Sequence, residues 1–216
     1  MQQVFDPDNL WWRFVSRCVD VVGLSVFWAV LCLPVVTVVP VSSALYYTVV
    51  KCFRQGERET FHVFYRAVRE NLRQGVIASL ICLPVAAALV FGYAVMRSNW
   101  SSDLGAVMFV AYDVALMVPA GLFCWLIALL GRFSFRLRDA FRTAAMLSLR
   151  HLPSTVVVVL LMLELGIFVA ERWWPVCAVP ALGALLSSLF FERVFPKYLS
   201  EEDAEKLENT SETLTD

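Results

Sequence analysis

Apolar residues run through this chain in long blocks, set apart by short segments that hold most of the charge. Cys18–Val50 has 33 residues and one charge, Asp20. Val76–Met96 has 21 residues and no charge, Leu104–Leu130 has 27 with only Asp113, and Trp173–Phe191 has 19 with none. Thr155–Ala170 is shorter, 16 residues with Glu164, and reaches span length when Leu152–Ser154 are added. At 1.5 Å per residue, ~20 apolar residues cross the hydrocarbon of a bilayer, so each block predicts a transmembrane helix. The expected class is all-α: a polytopic transmembrane bundle of about six crossing segments, five if the first block crosses once. Residues 1–199 are expected to form one domain and 200–216 a disordered acidic tail, with seven acids against one lysine.

A second pattern, of helical period, lies between the blocks. Phe61, Phe64, Tyr65, Val68 and Leu72 recur at helix spacing, with Arg58, Arg66, Arg69 and Arg73 on the remaining faces. Phe133, Leu137, Phe141 and Ala145 repeat the theme four residues apart. Each stretch runs directly into an apolar block, predicting amphipathic helices at the cytoplasmic surface. One reading places aromatics among lipid headgroups and arginines on anionic lipid; another makes Phe61, Phe64, Tyr65, Arg66, Arg69 and Arg73 a docking surface for a partner. Phe64–Leu80 aligns with Phe141–Val157 through Ala67/Ala144, Leu72/Leu149 and Arg73/Arg150, and LCLPV at 31–35 echoes ICLPV at 81–85. The two echoes have different offsets, so they define no single duplication.

Composition removes the soluble alternative. With 59% hydrophobic and 17% charged residues among 216, the chain cannot cover a globular core with polar surface. Charge also gives an orientation. Lys51, Arg54, Arg58, Arg66, Arg69 and Arg73 fall in one loop, and Arg132, Arg136, Arg138, Arg142 and Arg150 in another. Basic loops stay in the cytoplasm, so both termini are expected inside a plasma membrane, with the Arg97–Asp103 and Glu171–Arg172 connectors outside. Trp100, Trp173 and Trp174 fit the outer headgroup layer, and Trp11 and Trp12 the inner one.

An amino end and a Lys51 both inside require an even number of crossings between them. The prolines at 34 and 40 therefore suggest a hairpin: helix over 9–33, a turn at Pro34–Pro40 near the outer face, and a return over Ser42–Lys51. A helical return of about 11 residues reaches only ~16 Å, so extended backbone at Pro34–Val41 is expected to supply the rest. Thr37, Ser42 and Ser43 are available for the carbonyls that such a turn frees. A signal peptide cleaved near Ser42-Ser43-Ala44 is disfavoured by the length of the block and by Asp6 and Asp8 before it.

Candidate chemistry is sparse. Asp113 and Glu164 lie inside apolar blocks, at comparable depth from the outer side. They are either a substrate- or proton-binding pair in a central cavity, or separate protonated acids bonded to a neighbouring helix or reaching for water. Cysteines 18, 32, 52, 82, 124 and 177 have no paired spacing and read as small buried hydrophobes. His62 and His151 have no partner at i+4, and no phosphate-loop, nucleophile-elbow or dinucleotide motif is present. Neither an enzyme, a cofactor nor a nucleic-acid partner is expected, while membrane lipid is. Asn99-Trp100-Ser101 is a glycosylation sequon on the outer side.

LPVVTVVPVSSALYYTVVK at 33–51, leading into a basic amphipathic segment, resembles the YesL family of small bacterial multi-pass membrane proteins, a family of unknown function. Leu33, Pro34, Thr37, Pro40, Ala44 and Tyr46 carry the likeness, while Val39 and Val41 stand where members often have small residues. The resemblance spans roughly 8–195 but is distinctive only over 30–75. It implies a role beside a carbohydrate-uptake transporter, with a permease or its cytoplasmic subunit as partner, and brings no catalytic residues. A transporter in its own right, using Asp113 and Glu164, is the alternative.

Overall fold

The computed structural model describes residues 10–54, 59–98, 103–133, 137–172 and 174–194. Arg58, Trp100, Arg136, Trp173, the Asn99 sequon and the 200–216 tail lie outside the described residues, as do the side chains of Trp11, Trp12 and Trp174. Among the described residues the protein is all-α, with seven α-helices: α1 Leu10–Leu31, α2 Val38–Val49, α3 Thr60–Ser98, α4 Asp103–Arg132, α5 Leu137–Arg150, α6 Leu152–Arg172 and α7 Val179–Val194. Four helical stretches are long and apolar enough to cross a membrane: Val35–Phe53, Thr60–Ser98, Gly105–Arg132 and Leu152–Val169. Val179–Glu192 is a shorter apolar helix.

The stretch that contains α2 lies at the centre of the molecule. α2 is apolar on every face, so it is stable only when surrounded. Val39, Pro40, Val41, Ser43, Ala44, Leu45, Tyr46, Thr48 and Val49 are all buried. α3 and α4 flank it closely, with α7 and α1 completing the enclosure. Close approach is made possible by glycine on both sides: a Cβ at Gly75 of α3 would collide with Pro40, and one at Gly131 of α4 would meet the Ser43 carbonyl at 2.5 Å. On one side of α2, Val41, Ala44, Leu45 and Val49 pack with Leu24, Phe64, Ala67, Val68, Ala181 and Ala184. On the other, Val39, Tyr46 and Val50 pack with Trp125, Leu126, Leu129, Leu147 and Phe191.

The hairpin expected at Pro34–Pro40 forms, but its return leg differs from the expectation. Backbone that was to be extended is instead a 3-10 turn at Val35–Thr37, leading at once into α2 and a π-helical turn at Val50–Arg54. Pro40 permits this because it is the third residue of α2, where the missing N–H would have had no intrahelical partner. The return is thus helical over its whole length. The turn also stops well short of α3's far end. Val35, Val38 and Val39 line one apolar crevice with Ser79, Cys82, Leu83, Ala86 and Phe123, and Ser98 lies 12 residues beyond Ala86, ~18 Å along α3.

Each amphipathic stretch leads into a span, as its pattern predicts. In α3 the two are one helix of 39 residues, with Pro84 inside it. α5 and α6 are separated only by a turn at His151, which is bridged by His151 N–H to Leu147 O at 3.0 Å and Thr155 N–H to His151 O at 2.9 Å.

Candidate functional site

The residues of the family-like turn close a polar circuit inside an apolar setting. Proline at 34 ends α1 and leaves carbonyls without donors. The Thr37 hydroxyl lies 2.5 Å from both the Leu31 and the Pro34 carbonyl and donates to one or the other. Thr37 N–H also donates to Pro34 O at 2.8 Å. Trp28 Nε1 donates across the hairpin to Ser42 Oγ at 3.1 Å, and Ser43 Oγ donates to Pro40 O at 2.9 Å. Leu33 and Pro34 are exposed, while Pro40, Ala44 and Tyr46 are buried. The turn motif is therefore a structural joint whose inner half is core.

Two helix starts are completed from neighbouring helices. The first N–H groups of a helix have no intrahelical acceptor, and in an apolar interior water cannot serve. Val39 N–H, in the first turn of α2, donates to Ser79 Oγ of α3 at 3.2 Å. Ala181 N–H, in the first turn of α7, donates to Ser25 Oγ of α1 at 3.3 Å. Both helices carry proline in that turn, Pro40 and Pro180. Neither serine stands out in the sequence, because the signal is a pairing over 40 residues in one case and 156 in the other.

A third polar group joins the ends of three helices. Arg132 of α4 pairs with Glu192 of α7 at 3.5 Å, with the two side chains 26% and 15% exposed. Tyr46 Oη of α2 donates to the same carboxylate at 3.4 Å, and its ring packs against Phe191, which in turn lies 4.4 Å from Trp125. Loop charge alone marks Arg132 as surface, so nothing in its local sequence hints that Glu192 holds it.

The two membrane acids lie on different helices. Asp113 is half-buried on α4, Glu164 is exposed on α6, and neither has a hydrogen bond or ion pair among the described residues. Glu164 lies on a face with Leu160, Leu163 and Ile167, exposed by 47, 49 and 54%. The amphipathic residues of α3 are also divided. Phe64 and Val68 point into the core, whereas Phe61, Tyr65 and Leu72 stay exposed. Phe61 packs on Phe27 at 5.6 Å and sits over Gly23. Arg66 is bonded to Glu70 at 2.9 Å, which holds its guanidinium above the usual value; Arg69 and Arg73 are exposed. Among the cysteines, only Cys52 is fully buried; Cys32, Cys82 and Cys124 are half-buried, and Cys18 and Cys177 are exposed, against the expectation of six small core residues. No cluster of potential metal ligands occurs among the described residues.

Residues 9–93 match the family described as "Protein of unknown function, DUF624". The match covers α1, the turn, α2 and most of α3, and includes the stretch on which the YesL resemblance rests. No curated protein and no solved structure matches the chain.

Proposed function

We propose that this chain is a non-catalytic accessory protein of a bacterial plasma membrane, which binds a carbohydrate-uptake transporter through its permease or cytoplasmic subunit. The carbohydrate element rests on the YesL resemblance. The binding element rests on Glu164. An acid within a span ordinarily faces the bundle interior, because exposure to hydrocarbon costs ~3 kcal/mol or more. Here Glu164 is exposed on α6 beside Leu160, Leu163 and Ile167, themselves exposed. A partner helix offering a donor or a cation at that depth would relieve the cost. That arrangement supports lateral docking over transport through the bundle.

Affinity purification from the native host in mild detergent tests the reading. A transporter subunit should accompany the wild-type chain, and Glu164→Gln should reduce its recovery by about fivefold, ~1 kcal/mol of interhelical contact. Recovery of the protein alone counts against the proposal. Uptake by proteoliposomes holding only this chain would replace it with the transporter reading.

A further inference from the structure

α5 carries two basic residues, Arg138 and Arg142, that count toward the loop charge but play no part in the docking proposal. Its first three turns and the facing part of α4 border an open cleft of about 670 Å³, lined by Leu122, Arg138, Asp139, Phe141, Arg142 and Ala145. That volume suits a small organic ligand or the polar end of a larger one. Arg138 and Arg142 are one helical turn apart, so both guanidiniums reach the same mouth. Both are exposed, and neither is engaged by a carboxylate or carbonyl among the described residues, Asp139 included. Two cations against one acid leave the mouth positive. The remaining lining, Leu122, Phe141 and Ala145, is apolar.

The exposed surface of α5 changes character at this cleft. Arg138, Asp139 and Arg142 are solvent-type residues, but the next turns expose Met146 and Leu149, by 50 and 58%. Arg150, between them and α6, is already engaged. α6 continues the apolar surface with Leu152, Val156 and Val157. A boundary between water and hydrocarbon therefore crosses α5 beside the cleft, with guanidiniums on one side and an apolar floor on the other. A ligand matching both halves has an anionic head and a hydrocarbon tail. We infer that the α4–α5 cleft is a discrete site for one anionic phospholipid, its phosphate held by Arg138 and Arg142 and its first methylenes laid on Leu122, Phe141 and Ala145. Basic pockets between helices on the cytoplasmic side of a membrane hold anionic headgroups by the same physics.

The full chain, purified in a neutral detergent, would be titrated with phosphatidylglycerol or phosphatidylcholine, and bound lipid counted by native mass spectrometry. One phosphatidylglycerol should be retained under conditions that strip phosphatidylcholine. Arg138→Gln with Arg142→Gln should lower its affinity by about tenfold or more, on the order of 1 kcal/mol for each basic residue. Arg97→Gln with Arg172→Gln removes the same charge on the opposite side and should change it less than about twofold. Ala145→Trp fills the floor and should weaken the lipid while both arginines remain. Equal losses in the two double variants would reduce the effect to net charge and overturn the site. Undiminished binding to the Arg138/Arg142 variant would also overturn it. Displacement of the lipid by inorganic phosphate at comparable concentration would assign the cleft to free anions instead.

Discussion

One near-identical pentapeptide takes two structures in this chain, so the effect of a proline depends on the residues next to it. Pro34 in LCLPV ends α1, whereas Pro84 in ICLPV sits inside α3. After Pro84 come Val85, Ala86, Ala87, Ala88 and Leu89, mostly strong helix formers that carry the helix past a lost bond. After Pro34 come five β-branched residues and then a second proline, and the chain turns. The restart of the helix then depends on Ser79. Ser79→Ala leaves Val39 N–H buried without an acceptor and should lower stability by about 1–2 kcal/mol. Ser148 is the converse case: its Oγ is buried without a hydrogen-bond partner among the described residues. Ser148→Ala removes an unsatisfied group and should be neutral or stabilising by up to about 1 kcal/mol. Thermal unfolding of the two variants in one detergent would read the contrast, and equal losses would refute the assignment of Ser79 as a cap.

At the scale of elements, the apolar blocks were legible because the bilayer imposes length and hydropathy on each span independently. Amphipathic stretches entering spans were legible for a similar reason, since period and charge are local. What escaped was which face meets which neighbour. Phe61, Phe64, Tyr65, Val68 and Leu72 look like one apolar face, yet the buried stripe of α3 is Thr60, Val63, Phe64, Ala67, Val68, Gly75, Ala78 and Ser79. Small residues decide this, by letting α2 approach, and hydrophobicity alone does not weigh them. Ser79, Ser25 and Glu192 escaped because their partners are remote in sequence. The small-residue argument is testable by adding one carbon. Gly75→Ala forces α3 off Pro40 and Gly131→Ala forces α4 off Ser43, and each should cost about 1–3 kcal/mol. Gly166 has nothing within 4 Å of an added Cβ, so Gly166→Ala should gain up to about 1 kcal/mol from helix propensity. Denaturant titration of the three variants checks the ordering, and a stable Gly75→Ala protein would argue against glycine-mediated packing.

For the whole molecule, the issue is how deep the α1–α2 hairpin goes. α3 has 39 residues, ~58 Å of helix, and the hydrocarbon core is only ~30 Å thick. Its first third, beside α2 and α1, must therefore extend toward or beyond the inner surface if its apolar part is to span. The second half of α1 meets the start of α3, where Gly23 and Phe27 lie against Phe61. The loop charges call for a hairpin that enters and leaves on one side, and its turn ends ~18 Å before the last residue of α3. Thiol labelling of intact cells separates a full crossing from a partial one. With Cys177 as the sole cysteine, exposed in the 3-10 turn before α7, a membrane-impermeant maleimide added outside should react. With the sole cysteine at Val36→Cys, in the hairpin turn, it should not. Labelling of Val36→Cys from outside would mean that the hairpin reaches the outer surface after all. Failure at Cys177 until the cells are permeabilised would reverse the orientation and place both basic loops outside. A partial hairpin has one structural consequence that a full crossing lacks: helix ends lie at membrane depth, where water does not satisfy them. Thr37 and Ser79 occupy the places where such a fold needs hydroxyls, so labelling and serine substitution probe one architecture from two directions.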